Sequence, residues 1–308
     1  MITLVTIKNT KQQWMPRNKR LMHKTNISVI LPTYNGARFL KETLESFASQ
    51  LLPINQLVCS DDSSDDDTVA IINDFANTVS FEVICLNHKR DGVTANYLNA
   101  LASVKGDLIL VADQDDVWLD NKTELVVQAM SDSRISLISH DCLLVDDTLS
   151  SLGRTLRGSK DQSKVLSSNL NTASEEKNLE IFLRGKIPLL AHTLAFRSEL
   201  ISTLLNKPEN IDDWWFEEWV SCIALTHGRL ELLKEHLVLY RQHGNQTSGG
   251  FENSPPQPFK IASGIRKYDS RIEKINYCAE LIKDDDKRYR RFQSLSEYSC
   301  FLKNANLA

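Results

Sequence analysis

Beyond Asn26 the chain alternates short apolar runs with amphipathic segments. Ile27 to Leu31 is the first run, and it ends at Pro32-Thr33-Tyr34-Asn35-Gly36. Ala37, Leu40, Leu44 and Phe47 then fall at helical spacing. The second run, Gln56 to Ser60, ends in Asp61-Asp62-Ser63-Ser64-Asp65-Asp66-Asp67. There the serines can cap the next helix, and the acids suit its first turn. Phe81 to Leu86 is the third run, followed by Val93, Tyr97, Leu98 and Leu101 on an amphipathic segment. Leu108 to Ala112 is the fourth; it ends in Asp113-Gln114-Asp115-Asp116 and leads into a helix pattern through Leu125, Val126, Ala129 and Met130. Apolar strands that each feed a helix predict a parallel sheet covered on both faces. Such sheets bind ligands at the carboxyl ends of their strands. The first, second and fourth runs end in polar turns, two of them acidic, and the third ends in Asn87-His88-Lys89-Arg90. One rim therefore gathers charges of both signs.

The second half is patterned differently. Residues 150–178 are rich in Ser, Asn, Lys and Gly and predict a mobile loop or insertion. A helix is expected at Leu179 to Arg184, a short strand at His192 to Phe196 and a Trp-rich helix near 213–226. A strand pair is expected at Arg229 to Leu233 and Leu237 to Arg241. Pro255-Pro256-Gln257-Pro258 marks a break before a charged helical tail. The expected organisation is a basic N-terminal tail over 1–25, one α/β domain over 26–250 and a C-terminal helical extension over 251–308.

Composition adds exclusions. A chain of 308 residues, 42% hydrophobic and 25% charged, is globular with ample core. Its formal net charge of −4 argues against broad nucleic-acid binding. No run approaches the roughly 18 apolar residues of a membrane span. The six cysteines form no Cys-x-x-Cys pair. Cys59 and Cys85 lie inside strand-like runs, as buried thiols of a cytoplasmic protein do. The first 24 residues carry Lys8, Lys11, Arg17, Lys19, Arg20 and Lys24 and no acid. They read as a frayed tail, or as residues ahead of a start at Met22; weak attraction to an anionic bilayer is the alternative. There is no phosphate-binding Gly-x-x-x-x-Gly-Lys-Ser/Thr loop, no Gly-x-Gly-x-x-Gly after the first strand and no Gly-x-Ser-x-Gly elbow.

Asp113-Gln114-Asp115-Asp116 carries the strongest chemical signal. In an extended segment residues i and i+2 point the same way, so Asp113 and Asp115 can converge. Two close carboxylates repel unless a cation joins them, and a hard divalent ion shared with substrate phosphates fits. A solvated acidic turn is the alternative; the place at the end of a buried strand favours the metal. Asp61 and Asp62 end the neighbouring strand, where a carboxylate can accept from a base N–H or a ribose hydroxyl, or serve the helix cap. Glu217 and Glu218 stand among aromatics between Asp212 and Trp219. Acids so placed take raised pKa values that suit a general base, whereas a solvated acidic face above a buried Trp stripe is the plainer alternative. Arg241 and His243 alternate onto one side of Tyr240-Arg241-Gln242-His243, where both can neutralise a leaving diphosphate and His243 can ligate a metal. By residue type alone, His192 and the pair His140-Asp141 read as structural.

Taken together and in this order, Ile27 to Gly36, Val58 to Ser64 and Asp107 to Trp118 resemble a family 2 glycosyltransferase with the GT-A fold. The Asp-Gln-Asp-Asp-Val-Trp form is similar to the rhamnosyltransferase-like branch, which builds bacterial surface polysaccharide. Ala191-His192-Thr193-Leu194-Ala195-Phe196 resembles that branch's acceptor-site strand, with Ala191 where Gly is usual. The branch also carries an acid two residues before a Trp, then a Gly, then Tyr-Arg-x-His. That spacing selects Glu217, Trp219, Gly228 and Tyr240 to His243, with Glu where the family usually has Asp; Asp213 and Glu218 are the alternatives. The resemblance covers about residues 26–250.

It implies an α/β GT-A fold, a Rossmann-like and mostly parallel sheet flanked by helices, with a C-terminal helical extension. It also implies inverting transfer of a sugar from a nucleotide-diphosphate donor, such as dTDP-rhamnose or a UDP-hexose. By the same resemblance Thr33, Tyr34, Asn35 and Asp61 or Asp62 hold the nucleotide. Asp115 binds Mn²⁺ or Mg²⁺ directly, with His243 as a further ligand and Asp113 near the ribose or the metal's water shell. Arg241 and His243 steady the diphosphate, His192 and Trp118 line the acceptor site, and Glu217 removes the acceptor's hydroxyl proton. The implied partners are the nucleotide-sugar and a glycan or lipid-linked glycan met at the cytoplasmic face of the plasma membrane by transient contact. The alternatives are a sugar-1-phosphate nucleotidyltransferase, whose Gly-rich basic loop Pro32 to Gly36 does not match, and a catalytically inactive nucleotide- or glycan-binding relative.

Overall fold

The computed structural model describes residues 25–89, 91–157, 189–207 and 215–244, with short stretches and single residues between 273 and 297. In chain order the elements are β1 (Ile27–Thr33), α1 (Ala37–Ala48), β2 (Gln56–Asp61), α2 (Thr68–Ala76), β3 (Glu82–Asn87) and α3 (Val93–Leu101). Then come β4 (Leu108–Val111), β5 (Val117–Trp118), α4 (Lys122–Ala129), β6 (Ile135–Val145) and β7 (Ser151–Thr155). After the gap in description follow β8 (Leu194–Arg197), α5 (Ile201–Leu205), α6 (Phe216–His227) and β9 (Arg229–Arg241).

These strands make one sheet in the order β3-β2-β1-β4-β8-β6-β9-β5, with β7 beside β6. The four strands foreseen from the apolar runs are mutually parallel. β8 enters antiparallel between β4 and β6, and β9 runs parallel to β6. The unbroken apolar runs have a direct cause: both faces of the sheet are covered. Ile30, Val58, Ile109 and Val111 face one hydrophobic cluster, with Tyr97, Leu101, Phe216 and Trp219. The alternate residues Val29, Leu31, Leu57, Cys59 and Leu110 face the other, with Leu40, Leu44, Phe47 and Trp118. α1 buries Phe39, Leu40, Thr43, Leu44, Ser46 and Phe47, the stripe a 3.6-residue period requires.

The second half departs from the expected pattern in several places. Arg229–Arg241 is one strand and not two; exposed Lys234, Glu235 and His236 interrupt its burial, while irregular pairing with β6 carries it through. β6 was not signalled by its pattern. Ser151–Thr155 is a strand at the start of the segment expected to be a loop. His192 sits in a 3₁₀ turn, Ala191–Thr193, and the strand begins only at Leu194. The rest of that loop, the helix expected at Leu179 to Arg184, the basic N-terminal stretch to residue 24, and Asp213 lie outside the described residues. Within the expected C-terminal extension, residues 275–281 are helical, and Ile275, Cys278 and Ala279 are buried in the cluster beneath α6. No described helix is long and apolar enough to cross a membrane.

Candidate active site

The parallel strands end level with one another. Thr33 pairs with Asp61 and Asp61 with Asn87, while Ile30 pairs with Val111 two residues ahead of Asp113. This register sets the acidic turn beside the loops that follow β1 and β2.

Those two loops are built on each other. Thr33 Oγ1 donates to Asp61 Oδ2 at 2.7 Å, and the Ser64 N–H donates to Asp61 Oδ1 at 2.7 Å. The Asn35 N–H donates to Ser64 Oγ at 2.8 Å, and Asn35 Oδ1 accepts from the Asp65 N–H at 2.9 Å. Asn35 adopts φ 48°, a left-handed conformation that Asn tolerates better than most residues. Asp62 accepts from the main-chain N–H groups of Asp91 and Gly92 at 3.0 and 3.2 Å. Thr33 and Asp61 are thus buried and Asp62 nearly so, each committed to shaping the loops; Tyr34 is half-buried and Asn35 exposed.

In the acidic turn each residue has its own partner. Tyr97 of α3 donates its hydroxyl to Asp113 Oδ1, and His192 Nδ1 lies 3.1 Å from Asp113 Oδ2. Gln114 pairs with the main chain of Tyr34. Asp115 Oδ2 lies 2.8 Å from His243 Nε2. Asp116 Oδ1 accepts from the Arg241 N–H at 3.0 Å, and Asp116 Oδ2 faces His192 Nδ1 at 3.4 Å. Burial works against ionisation of Asp113, but the His192 hydrogen bond and charge hold its carboxyl below the ordinary range. Burial pushes Asp116 well above that range despite His192, with Asp115 and Asp113 adding to the rise. For His192, burial opposes protonation, yet Asp116 and Asp113 carry its pKa well above the ordinary value. Lys122 completes this buried charge group: its Nζ donates to the His192 carbonyl at 3.0 Å and stands 3.8 Å from the Trp118 ring centroid. Burial lowers its pKa to about 7.

Three residues expected at ligand surfaces are covered. Trp118 is 3% exposed and packs edge-on against Phe47 at 4.5 Å, on the core side of the turn. His192, 1% exposed, lies beneath Asp113 and Asp116 and supports them from inside. Arg241 is also 1% exposed. Its Nε donates to the Asp115 carbonyl at 2.8 Å, one terminal nitrogen donates to the Asp147 carbonyl at 2.5 Å, and the other meets Glu42. Through these contacts Arg241 braces the acidic turn.

Two donor sets suit a divalent cation. Asp113, Asp116 and His192 offer ligand atoms within 4.8 Å of one another. Asp115 and His243 offer a carboxylate oxygen and an imidazole nitrogen 2.8 Å apart. Oxygen donors with one imidazole fit Mn²⁺ or Mg²⁺. In each set a carboxylate already faces an imidazole; in the first, Asp116 and His192 are enclosed and Asp113 reaches solvent, and in the second both side chains are partly covered.

Glu217 sits in the first turn of α6 and is half-buried. Burial is the main cause that pushes its carboxyl up to about 7, with Glu218 and Asp113 also raising it. Phe216, one residue earlier, stacks on Tyr97 with centroids 4.4 Å apart and planes 13° apart, so the helix docks on the ring that holds Asp113. Trp219 is buried and donates Nε1–H to the Leu204 carbonyl at 3.0 Å. The pair His140-Asp141 makes no catalytic dyad: His140 Nδ1 meets the Asp141 carbonyl, and Asp141 Oδ1 accepts main-chain N–H groups. Tyr97 and Lys122 were not singled out from sequence, and Gln114 and Asp116 were named only as members of the acidic turn, without a role of their own. A phenol on the apolar face of an amphipathic segment was the available signal for Tyr97; nothing local marks Lys122 as buried.

The site so far is an acidic turn at the carboxyl rim of a mostly parallel α/β sheet, beside the helix that carries Glu217. The chain matches the model described as Glycosyl transferase family 2 over residues 28–198, more than half its length, and belongs to that family. It is 24% identical over 274 residues to an uncharacterised glycosyltransferase of Nostoc sp. (strain PCC 7120), covering 86% of this chain and 81% of that protein. Among solved structures it resembles Staphylococcus aureus TarS in complex with UDP-GlcNAc, with TM-score 0.58 and 19% identity over 88% of this chain and 70% of that one. It spans only 42% of a longer TarS structure. It also resembles the mannosyltransferase PcManGT of Pyrobaculum calidifontis in complex with GDP-Man and Mn²⁺, with TM-score 0.55 and 19% identity over 92% of this chain and 74% of that one. The fold is GT-A-like, as the sequence resemblance implied.

Proposed function

We propose that the protein is an inverting, metal-dependent glycosyltransferase. It moves a sugar from a nucleotide-diphosphate donor to a hydroxyl of a glycan or lipid-linked glycan, in the synthesis of bacterial surface polysaccharide. A deoxyhexose from dTDP-rhamnose and a hexose from a UDP-sugar are the donors that the motif form favours. The neighbours support the donor class, since TarS was solved in complex with UDP-GlcNAc and PcManGT in complex with GDP-Man and Mn²⁺. TarS is named for transfer to poly(ribitol-phosphate), a polymeric acceptor. The acceptor is met at the cytoplasmic face of the membrane, by transient contact.

The observation that carries this function is Glu217, a carboxyl pushed up to about 7 within the electrostatic reach of Asp113. A base poised near neutral pH can take the acceptor's proton as its oxygen attacks the anomeric carbon. Tyr34 and Asn35, on loops fixed by Thr33, Asp61 and Asp62, bind and orient the nucleoside. Asp115 and His243 would hold the metal ion, with Asp113 beside them at the ribose or the ion's water shell. When bound, that ion supplies Lewis-acid stabilisation of the charge that grows on the departing diphosphate. Arg241 and His192 keep the turn in place from below.

A thermal-shift panel of dTDP-, UDP- and GDP-sugars, each with Mn²⁺ or with EDTA, tests the donor class. Ligand at about 100 times its Kd adds about 2.7 kcal/mol, enough to move the midpoint by several degrees. A shift with one nucleotide, seen only with metal, is expected. Folded protein that shifts with none of them would count against the function.

A further inference from the structure

β1 and β4 are hydrogen-bonded neighbours up to the Ala112 N–H, which donates to the Ile30 carbonyl at 3.0 Å. Beyond that point the chains part, one into the loop Tyr34 to Gly36 and the other into the acidic turn. The Gln114 side chain spans the gap. Its Oε1 accepts from the Tyr34 N–H at 2.9 Å, and its Nε2 donates to the Tyr34 carbonyl at 2.9 Å. A carboxamide thereby supplies the donor and the acceptor that one more residue of paired strand would supply. The main chain of Gln114 is held as well, since buried Thr43 of α1 donates Oγ1–H to its carbonyl at 3.0 Å. The facing loop is shaped to admit the amide: a Cβ on Gly36 would lie 2.2 Å from Gln114 Oε1.

We propose that Gln114 is a positioning residue that locks the nucleotide-side loop to the metal-side turn. This rests on the donor-binding function proposed above. Tyr34 belongs to the nucleoside side, and Asp113 and Asp115 flank Gln114 on the diphosphate side. The two Gln114–Tyr34 hydrogen bonds hold these halves at one separation, so nucleoside and metal-bound diphosphate meet a single fixed spacing. Neutral Gln suits this task. A fourth carboxylate, at position 114, would add repulsion within the turn and place oxygen against the Tyr34 carbonyl.

The test uses Gln114→Met, which keeps the side chain's length without its paired bonds, and Gln114→Glu, which keeps the acceptor and loses the donor. Binding of UDP, GDP and dTDP with MnCl₂ is measured by titration calorimetry on the full chain. Amide hydrogen exchange over residues 33–36 is followed in parallel. Both folded variants are expected to bind the wild type's preferred nucleotide at least about tenfold more weakly, with faster exchange at Tyr34, as loss of a part-buried pair of hydrogen bonds predicts. In Gln114→Met, which adds no charge to the turn, Mn²⁺ affinity without nucleotide is expected to stay within twofold, a separation that general loosening of the fold would not give. Wild-type affinity in both variants would overturn the role of Gln114 alone. Wild-type protein that binds none of the three nucleotides would overturn the donor-binding function and this role with it.

Discussion

Glu217→Gln is expected to retain nucleotide binding and to lose turnover by about 10²–10⁴-fold, the range general-base catalysis contributes. The amide keeps the size and hydrogen-bonding reach of the carboxylate but takes up no proton. In the unsubstituted protein kcat/KM should rise tenfold per pH unit at acid pH and level off near 7, where the carboxyl titrates. The variant should lack that limb. Stability should respond in the opposite sense. Because the folded carboxyl lies above its ordinary value, the native state holds the proton more tightly than the unfolded chain does. The stabilisation is full below about 4.5 and is lost as pH rises through about 7. Glu217→Gln removes this loss, so at pH 8 the variant should melt higher than the parent. Unchanged turnover would move the base to Glu218 or Asp213.

The second large effect is expected at Asp115. Asp115→Ala should reduce transfer by about 10³-fold, since Lewis-acid stabilisation is worth several kcal/mol and each 1.36 kcal/mol is a tenfold change in rate. Excess EDTA should do the same to the parent protein, with recovery on adding Mn²⁺. Metal binding followed by electron paramagnetic resonance separates the two donor sets. Weakened Mn²⁺ binding in Asp115→Ala places the ion with His243. Mn²⁺ binding that survives there and fails in Asp116→Asn places it with Asp113, Asp116 and His192. Full transfer in EDTA would remove the metal from the mechanism.

A third substitution, Gly36→Ala, tests the packing of the rim. Its Cβ would meet Gln114 Oε1 at 2.2 Å, so the amide would have to leave Tyr34. The expected cost is about 1–3 kcal/mol, the usual range for overpacking, read as a lower denaturation midpoint.

The parallel half of the sheet was legible because its strands are covered on both faces, so burial appears as plain apolar runs. β6 was not, because Ser136, Ser139 and Asp141 are buried polar residues with partners in distant segments. Ser136, for example, donates to the Ala224 carbonyl of α6 at 2.7 Å. The broken appearance of β9 came from three exposed residues in mid-strand, where polarity marks a solvent-facing stretch and not a turn. At the rim, spacing and strand-end position were enough to choose Asp113, Asp115 and Glu217. They could not say which neighbouring groups are covered. Trp118, His192 and Arg241 have side chains that suit a ligand surface, yet each is enclosed by residues far away in sequence. Lys122 shows the same limit in reverse: a residue type almost always at the surface is fully buried because Asp116, Trp118 and the His192 carbonyl surround it.

The loops of this rim are tied to one another by side chains, through Thr33, Asn35, Asp61, Asp62 and Gln114, before any ligand arrives. Their conformational entropy is therefore surrendered when the chain folds and not when a donor binds. A nucleotide entering such a frame loses its own freedom but need not order the protein around it, so more of each contact remains as affinity. The same rigidity narrows choice: a nucleotide of different shape cannot be met by a loop that yields, and a change of donor would have to be written into the residues that tie the rim together.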